Sequence, residues 1–138
     1  MMGLDNREAL HQVAEEVPNG TNMSVLLHVM WRIMDNNKGI GLAAPQIGES
    51  VRVIIMDTGT TSHAIINPVI TRRNLGKGLS EEGCLSYPGL RVKMKRYKQI
   101  TVKGFTDNWE PIKLKLRGLD AFVVQHEIDH LDGKTIVD

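Results

Sequence analysis

Apolar residues recur along this chain with two periods. From Met23 to Asn36, Leu26, Met30, Ile33 and Met34 fall at helical spacing, with Asn22 or Ser24 as N-cap and Gly39 beyond the end, which predicts a helix with one buried face. Val51 to Met56 and Ala64 to Ile70 are β-branched runs bounded by Gly59 and turn residues and read as strands. Ile100-Thr101-Val102, a turn through Asp107 to Pro111, and Ile112-Lys113-Leu114-Lys115-Leu116 read as a hairpin with one wet face. After Gly118 the period returns to helical from Leu119 to about Leu131. The expected class is α+β, and 138 residues suit a single domain, 1–138, with one modest core.

Charge changes this picture little. The formal net charge is +1, and the charged residues are scattered, which gives no electrostatic case for DNA or an anionic membrane. Lys93, Lys95, Arg96 and Lys98 form the one basic cluster and read as a solvated strand face, with ribosomal RNA contact as the functional alternative. Cys84 is the single cysteine, so no internal disulfide forms, which fits a reducing compartment. The N-terminal residues lack an apolar core of signal-peptide length, and no later run approaches a membrane span; a cytoplasmic protein is expected.

The candidate chemistry lies in the last helix. His126-Glu127-Ile128-Asp129-His130 sets two histidines four apart, so both project from one face and can bind one metal ion beside a glutamate. A catalytic site of this type takes three protein ligands and keeps an open position. Gly133 stands where a metzincin has its glycine, but Ile136 occupies the ligand position, and the sequence ends at Asp138 without a segment that could supply a glutamate. The third ligand is therefore sought upstream, among His11, His28, His63, the carboxylates and Cys84. Cys84 is preferred: glycine frees the backbone of Glu82-Gly83-Cys84-Leu85-Ser86, and a thiolate is a strong ligand for zinc or ferrous iron. The competing view of Cys84 is a small buried hydrophobe.

Gly39-Ile40-Gly41-Leu42-Ala43-Ala44 also fits the dinucleotide pattern G-x-G-x-x-A, but a helix rather than a strand precedes it and Pro45 follows too deep for a first helical turn. These glycines are expected instead to let extended backbone run beside bound substrate and pair with it as an added strand. Val123 and Phe122 share the face of His126 and are expected to wall an apolar cavity; Leu119, one turn earlier, is expected in the core.

Taken in order, Gly39-Ile40-Gly41-Leu42-Ala43-Ala44-Pro45-Gln46, Glu82-Gly83-Cys84-Leu85-Ser86 and Gln125-His126-Glu127-Ile128-Asp129-His130 resemble the three signature motifs of peptide deformylases. The resemblance implies strands wrapped around a central C-terminal helix, and removal of the formyl group from N-formylmethionine at the start of nascent polypeptides. It implies one divalent metal on Cys84, His126 and His130: ferrous iron in function, with zinc, nickel or cobalt as substitutes. Glu127 is assigned as general base and then acid, Gln46 and the backbone N–H of Leu85 as oxyanion donors, and Ile40 and Arg91 as pocket residues beside Gly39, Gly41, Phe122 and Val123. Most bacterial members continue into a further C-terminal helix; ending after Thr135-Ile136-Val137-Asp138, this sequence resembles the short deformylases encoded by bacteriophages, and a truncated bacterial member would look the same. The resemblance further implies transient ribosome contact, a monomer, and host cytoplasm for a phage protein. An endopeptidase using His-Glu-x-x-His and a catalytically silent ribosome-binding relative are the competing classes; Cys84 speaks against the first and the intact motifs against the second.

Overall fold

The computed structural model describes residues 12–84 and 86–135, so the readings of His11 and Leu85 lie outside the described residues. Two helices and five strands alternate as α1 (Ser24–Asn36), β1 (Gly41–Ala43), β2 (Val53–Asp57), β3 (Ser62–Cys84), β4 (Tyr87–Phe105), β5 (Pro111–Arg117) and α2 (Leu119–Leu131). The strands form one antiparallel sheet in chain order, β1 to β5, as expected when each is joined to the next by a short turn.

β2 explains where the core lies. Val53 and Ile55 face α1, packing with Leu27, Met30, Met34, Leu42 and Ile66. Ile54 and Met56 face the other way, onto Val124, Ile128 and Leu131 of α2 together with Ile65, Ile100 and Val102. A strand covered on both faces reads as a continuous apolar run, as Val-Ile-Ile-Met does. α2 is correspondingly buried all round, and the sheet wraps it as expected. Its polar Gln125 is satisfied across the packing, accepting from Tyr97 N–H at 2.9 Å and donating to Tyr97 O at 2.7 Å. The helix is further anchored at its start by hydrogen bonds from Thr58 and Thr60 to Asp120, and past its end by Arg52, which donates to Leu131 O at 3.0 Å and pairs with Asp132.

Several boundaries differ from the sequence reading. Met23 occupies the N-cap position of α1, and Asn22 Oδ1 instead accepts the N–H of Ser24 at 2.9 Å. Leu27 rather than Leu26 is the fully buried residue of its first turn. Ala64 to Ile70 is a strand, but the strand does not stop there: β3 runs on to Cys84 against β4. The polar stretch after Ile70 carries no strand period, because this part of the hairpin is twisted through register shifts, one of them at Gly76, whose φ of 65° suits glycine. Arg96 also departs from expectation. It shares the inward parity of Ile100 and Val102 and is buried, whereas Lys93, Lys95 and Lys98 are exposed as read.

Candidate metal and hydrolytic site

Three elements converge on one cavity of about 500 Å³. α2 contributes His126, Glu127, Phe122 and Val123; the end of β3 contributes Cys84; β1 and the 3-10 turn after it, Ala44–Ile47, contribute Gly41 and Gln46. Each expected site residue among those described, other than His130, lines this cavity: Gly39, Ile40, Gly41, Gln46, Cys84, Arg91, Phe122, Val123, His126 and Glu127. His130 lies just behind it, fully buried, with Nε2 3.3 Å from Cys84 Sγ. Leu119 was expected in the core but is 54% exposed at the cavity's edge. His28 is exposed on α1 and His63 bonds Thr61 on β3, so neither joins the cluster.

The ligand atoms of Cys84, His126 and His130 lie within 4.8 Å of one another. Bonds of about 2.0–2.3 Å from sulfur and nitrogen to a tetrahedral ion would set ligands roughly 3.5 Å apart, so this spacing and this S, N, N donor set fit one divalent ion. The orientation of His126 fits as well. Its Nδ1 is 2.8 Å from Glu82 Oε1. Glu82 is ionised: burial works against its charge, but hydrogen bonds from His126, Arg96 and Ser80 outweigh burial and hold its pKa near 2. A carboxylate only accepts, so Nδ1 carries the proton and Nε2 is left for the cluster. Arg96 donates to both oxygens of Glu82, at 2.8 and 2.9 Å, and also bonds Asp129. The buried guanidinium thus links the motif helix to the strand that carries Cys84.

Burial dominates the remaining electrostatics. It pushes the Glu127 carboxyl up to about 7, partly countered by His126, and leaves Oε1 without a hydrogen-bond partner among the described residues. The same burial pushes His130 down to about 3, the neutral form a ligand needs. For His126 burial is overcome by the charge of Glu127 and by hydrogen bonds to Cys84 and Glu82, which raise it to about 10. Glu127 is 4% exposed, not a surface helix residue, and it reaches the cavity because Gly41 has no side chain. A Cβ there would stand 2.5 Å from Glu127 Oε2 and 2.8 Å from Val123 Cγ1.

Gln46 is buried with its amide held by its own turn. Oε1 accepts the Ala43 N–H at 2.9 Å, which turns Nε2 toward Cys84 Sγ at 3.4 Å and Ser86 Oγ at 3.2 Å. It therefore caps a backbone N–H and presents a donor to the site at once.

Glu82 and Asp129 received no role from the sequence, and Arg96 was read only as part of a solvated basic cluster. Glu82 and Asp129 stand inside quoted motifs without a mark of their own, and strand parity does not single out Arg96, since Lys98 shares its parity and is exposed.

The family model of polypeptide deformylase matches residues 3–138. The peptide deformylase of Thermodesulfovibrio yellowstonii is 43% identical over 138 residues, covering 95% of this chain and 82% of that protein. Among solved structures, PDF from the Vibrio parahaemolyticus bacteriophage VP16T, in complex with actinonin, matches 96% of each chain at 45% identity with a TM-score of 0.93. Peptide deformylase from Thermotoga maritima matches 94% of this chain and 89% of its own at 39% identity with a TM-score of 0.90. Motifs, fold and relatives agree: the chain belongs to the polypeptide deformylase family, metal-dependent hydrolases that remove the N-formyl group from nascent polypeptides.

Proposed function

We propose that Cys84, His126 and His130 hold one divalent ion and that Glu127, Gln46 and the backbone N–H of Leu85 carry out deformylation around it. The observation that supports this most is the buried Glu127 carboxylate beside a convergent S, N, N donor set. Bound by these residues, a divalent ion would supply Lewis-acid chemistry and would bring the pKa of water from its bulk value to near 7. Glu127, with a pKa near 7, is matched to neutral pH as a base: it removes a proton from the attacking water and delivers it to the departing amine nitrogen. Gln46 Nε2 donates to the oxygen that gains charge when the formyl carbon becomes tetrahedral, and Leu85 N–H takes the second donor role by family resemblance.

The sheet supports one placement of the substrate. Among the described residues β1 is an edge strand, paired on one side with β2 through Gly41↔Met56, and its other edge would take an extended peptide. Gly39, Ile40 and Gly41 would run along the substrate backbone, Phe122 and Val123 would receive the methionine side chain, and Arg91 would border the mouth. The reading extends to ferrous iron as the working ion, with zinc, nickel or cobalt as replacements, because a thiolate donor tempers the Lewis acidity of zinc. It also extends to one catalytic domain over 1–138, a monomer, transient ribosome contact and a cytoplasmic site of action, the host's if a phage encodes it. Actinonin, bound by the phage relative, should occupy the same cavity.

The test is formate release from an N-formylmethionyl tripeptide by protein prepared anaerobically with ferrous iron. Turnover that chelation removes, with no cleavage of unformylated peptides, supports the proposal. Cleavage of internal bonds would replace it with an endopeptidase, and absence of turnover with metal bound would replace it with a silent relative.

A further inference from the structure

The outer face of the sheet carries a feature that deformylation does not use. On β5, Lys113, Lys115 and Arg117 alternate with the inward Ile112, Leu114 and Leu116, and all three cations are exposed. β4 sets Lys103 opposite Lys113 and Thr101 opposite Lys115; β3 sets Arg72 opposite Thr101 and Asn74 opposite Gln99. These residues, apart from Arg117, line an open groove. None of the five cations takes part in an ion pair among the described residues. Asp107 and Glu110, the acidic residues of the same hairpin, stand in the turn beyond Phe105.

Scattered charge was the sequence reading, and the fold corrects it. Residues some thirty to forty positions apart come into one patch by strand pairing, while Asp and Glu, 16 in a chain with 17 Lys and Arg, are left to the rest of the surface. Successive outward side chains on a strand lie roughly 6.7 Å apart, and neighbouring strands about 4.8 Å. That makes a grid of cations on the scale of successive phosphates in a nucleic-acid strand.

We infer that this face, centred on Arg72, Lys103, Lys113 and Lys115, binds the phosphate backbone of structured RNA. The choice of RNA rests on the deformylase reading, since the substrate of that reaction emerges from a particle whose surface is largely RNA. Of the four uncharged members of the groove, Thr101 is buried, while Asn74, Gln99 and Thr71 are side chains of the kind that bond phosphate and sugar oxygens. An acidic polypeptide would use the cations alone. An anionic membrane would also need apolar side chains to insert, and Val69, opposite Lys103, is the exposed large apolar residue that borders the patch. The inner face of these strands packs on α2, so the groove lies across the sheet from the cavity that holds Glu127.

The experiment is fluorescence anisotropy of a labelled RNA hairpin titrated with metal-loaded protein, and with the triple variant Lys103→Gln, Lys113→Gln, Lys115→Gln, over about 50 to 200 mM salt. Formate release from a free formylated tripeptide is read on the same preparations. Wild-type protein should bind with a steep salt dependence. The variant should lose at least tenfold in affinity at low salt and about 3 in the slope of log K against log salt, roughly one for each cation removed, with formate release unchanged. Equal RNA binding by the variant overturns the inference, as does tighter binding of polyglutamate or of phosphatidylserine vesicles than of RNA. Wild-type RNA binding without any formate release would instead overturn the deformylase reading.

Discussion

Glu82 accepts the Nδ1 proton of His126 at 2.8 Å and, being ionised, fixes which nitrogen of that histidine faces Cys84. Outer partners of this kind orient a ligand and commonly set 10–100-fold of metal affinity. Glu82→Gln keeps the shape but removes the charge that Arg96 and His126 share. Metal affinity should fall about 10–100-fold, read by competition with a chelating dye. An unchanged affinity would assign Glu82 to stability alone.

Metal uptake should depend on pH with a definite sign. In the metal-free protein His126 is held up at about 10, chiefly because the Glu127 charge and its hydrogen bonds to Cys84 and Glu82 outweigh burial, so it carries a proton at neutrality. Ligation requires the neutral ring and a thiolate, so binding must release protons. Below about pH 10 the affinity for cobalt should rise with pH, about tenfold per unit for each proton released, and a pH-stat should record the protons directly.

Gly41→Ala should damage catalysis from outside the motif helix. The added methyl would stand 2.5 Å from Glu127 Oε2 and 2.8 Å from Val123 Cγ1, so the carboxylate must move or β1 must shift away from α2. Overpacking of this kind typically costs about 1–3 kcal/mol. Formate release should fall more than tenfold, the scale of a misplaced catalytic group, while the metal content stays at one per chain.

Much of this site is legible in the sequence, for a physical reason. His126 and His130 are fixed in relation to each other by helix geometry alone, and the limits of α2 follow from Gly118 and the return of the helical period. Cys84 and Gln46 are different: 38 residues apart, they meet at 3.4 Å only because β3 and the turn after β1 converge on α2. Their motifs could suggest that meeting; no local pattern could. Arg96 was hidden among lysines, since its burial depends on Glu82 and Asp129 arriving from two other elements. The basic face was hidden for the same reason, because strand register decides which side chains become neighbours.

Gln46→Leu should separate the oxyanion role from binding. Removal of one preset donor typically costs 10²–10³ in kcat, about 3–4 kcal/mol. Steady-state kinetics should show that loss in kcat with KM little changed, and a loss confined to KM would reassign Gln46 to substrate binding.

The most direct measurement sets wild-type protein beside Glu127→Ala, each with metal quantified at one ion per chain, and follows formate release from an N-formylmethionyl tripeptide. General acid–base catalysis by Glu127 predicts a loss of at least about 10²–10⁴-fold with the metal retained. Turnover by the variant within a few-fold of wild type would contradict the assignment of the proton transfers to Glu127, and with it the account of this site.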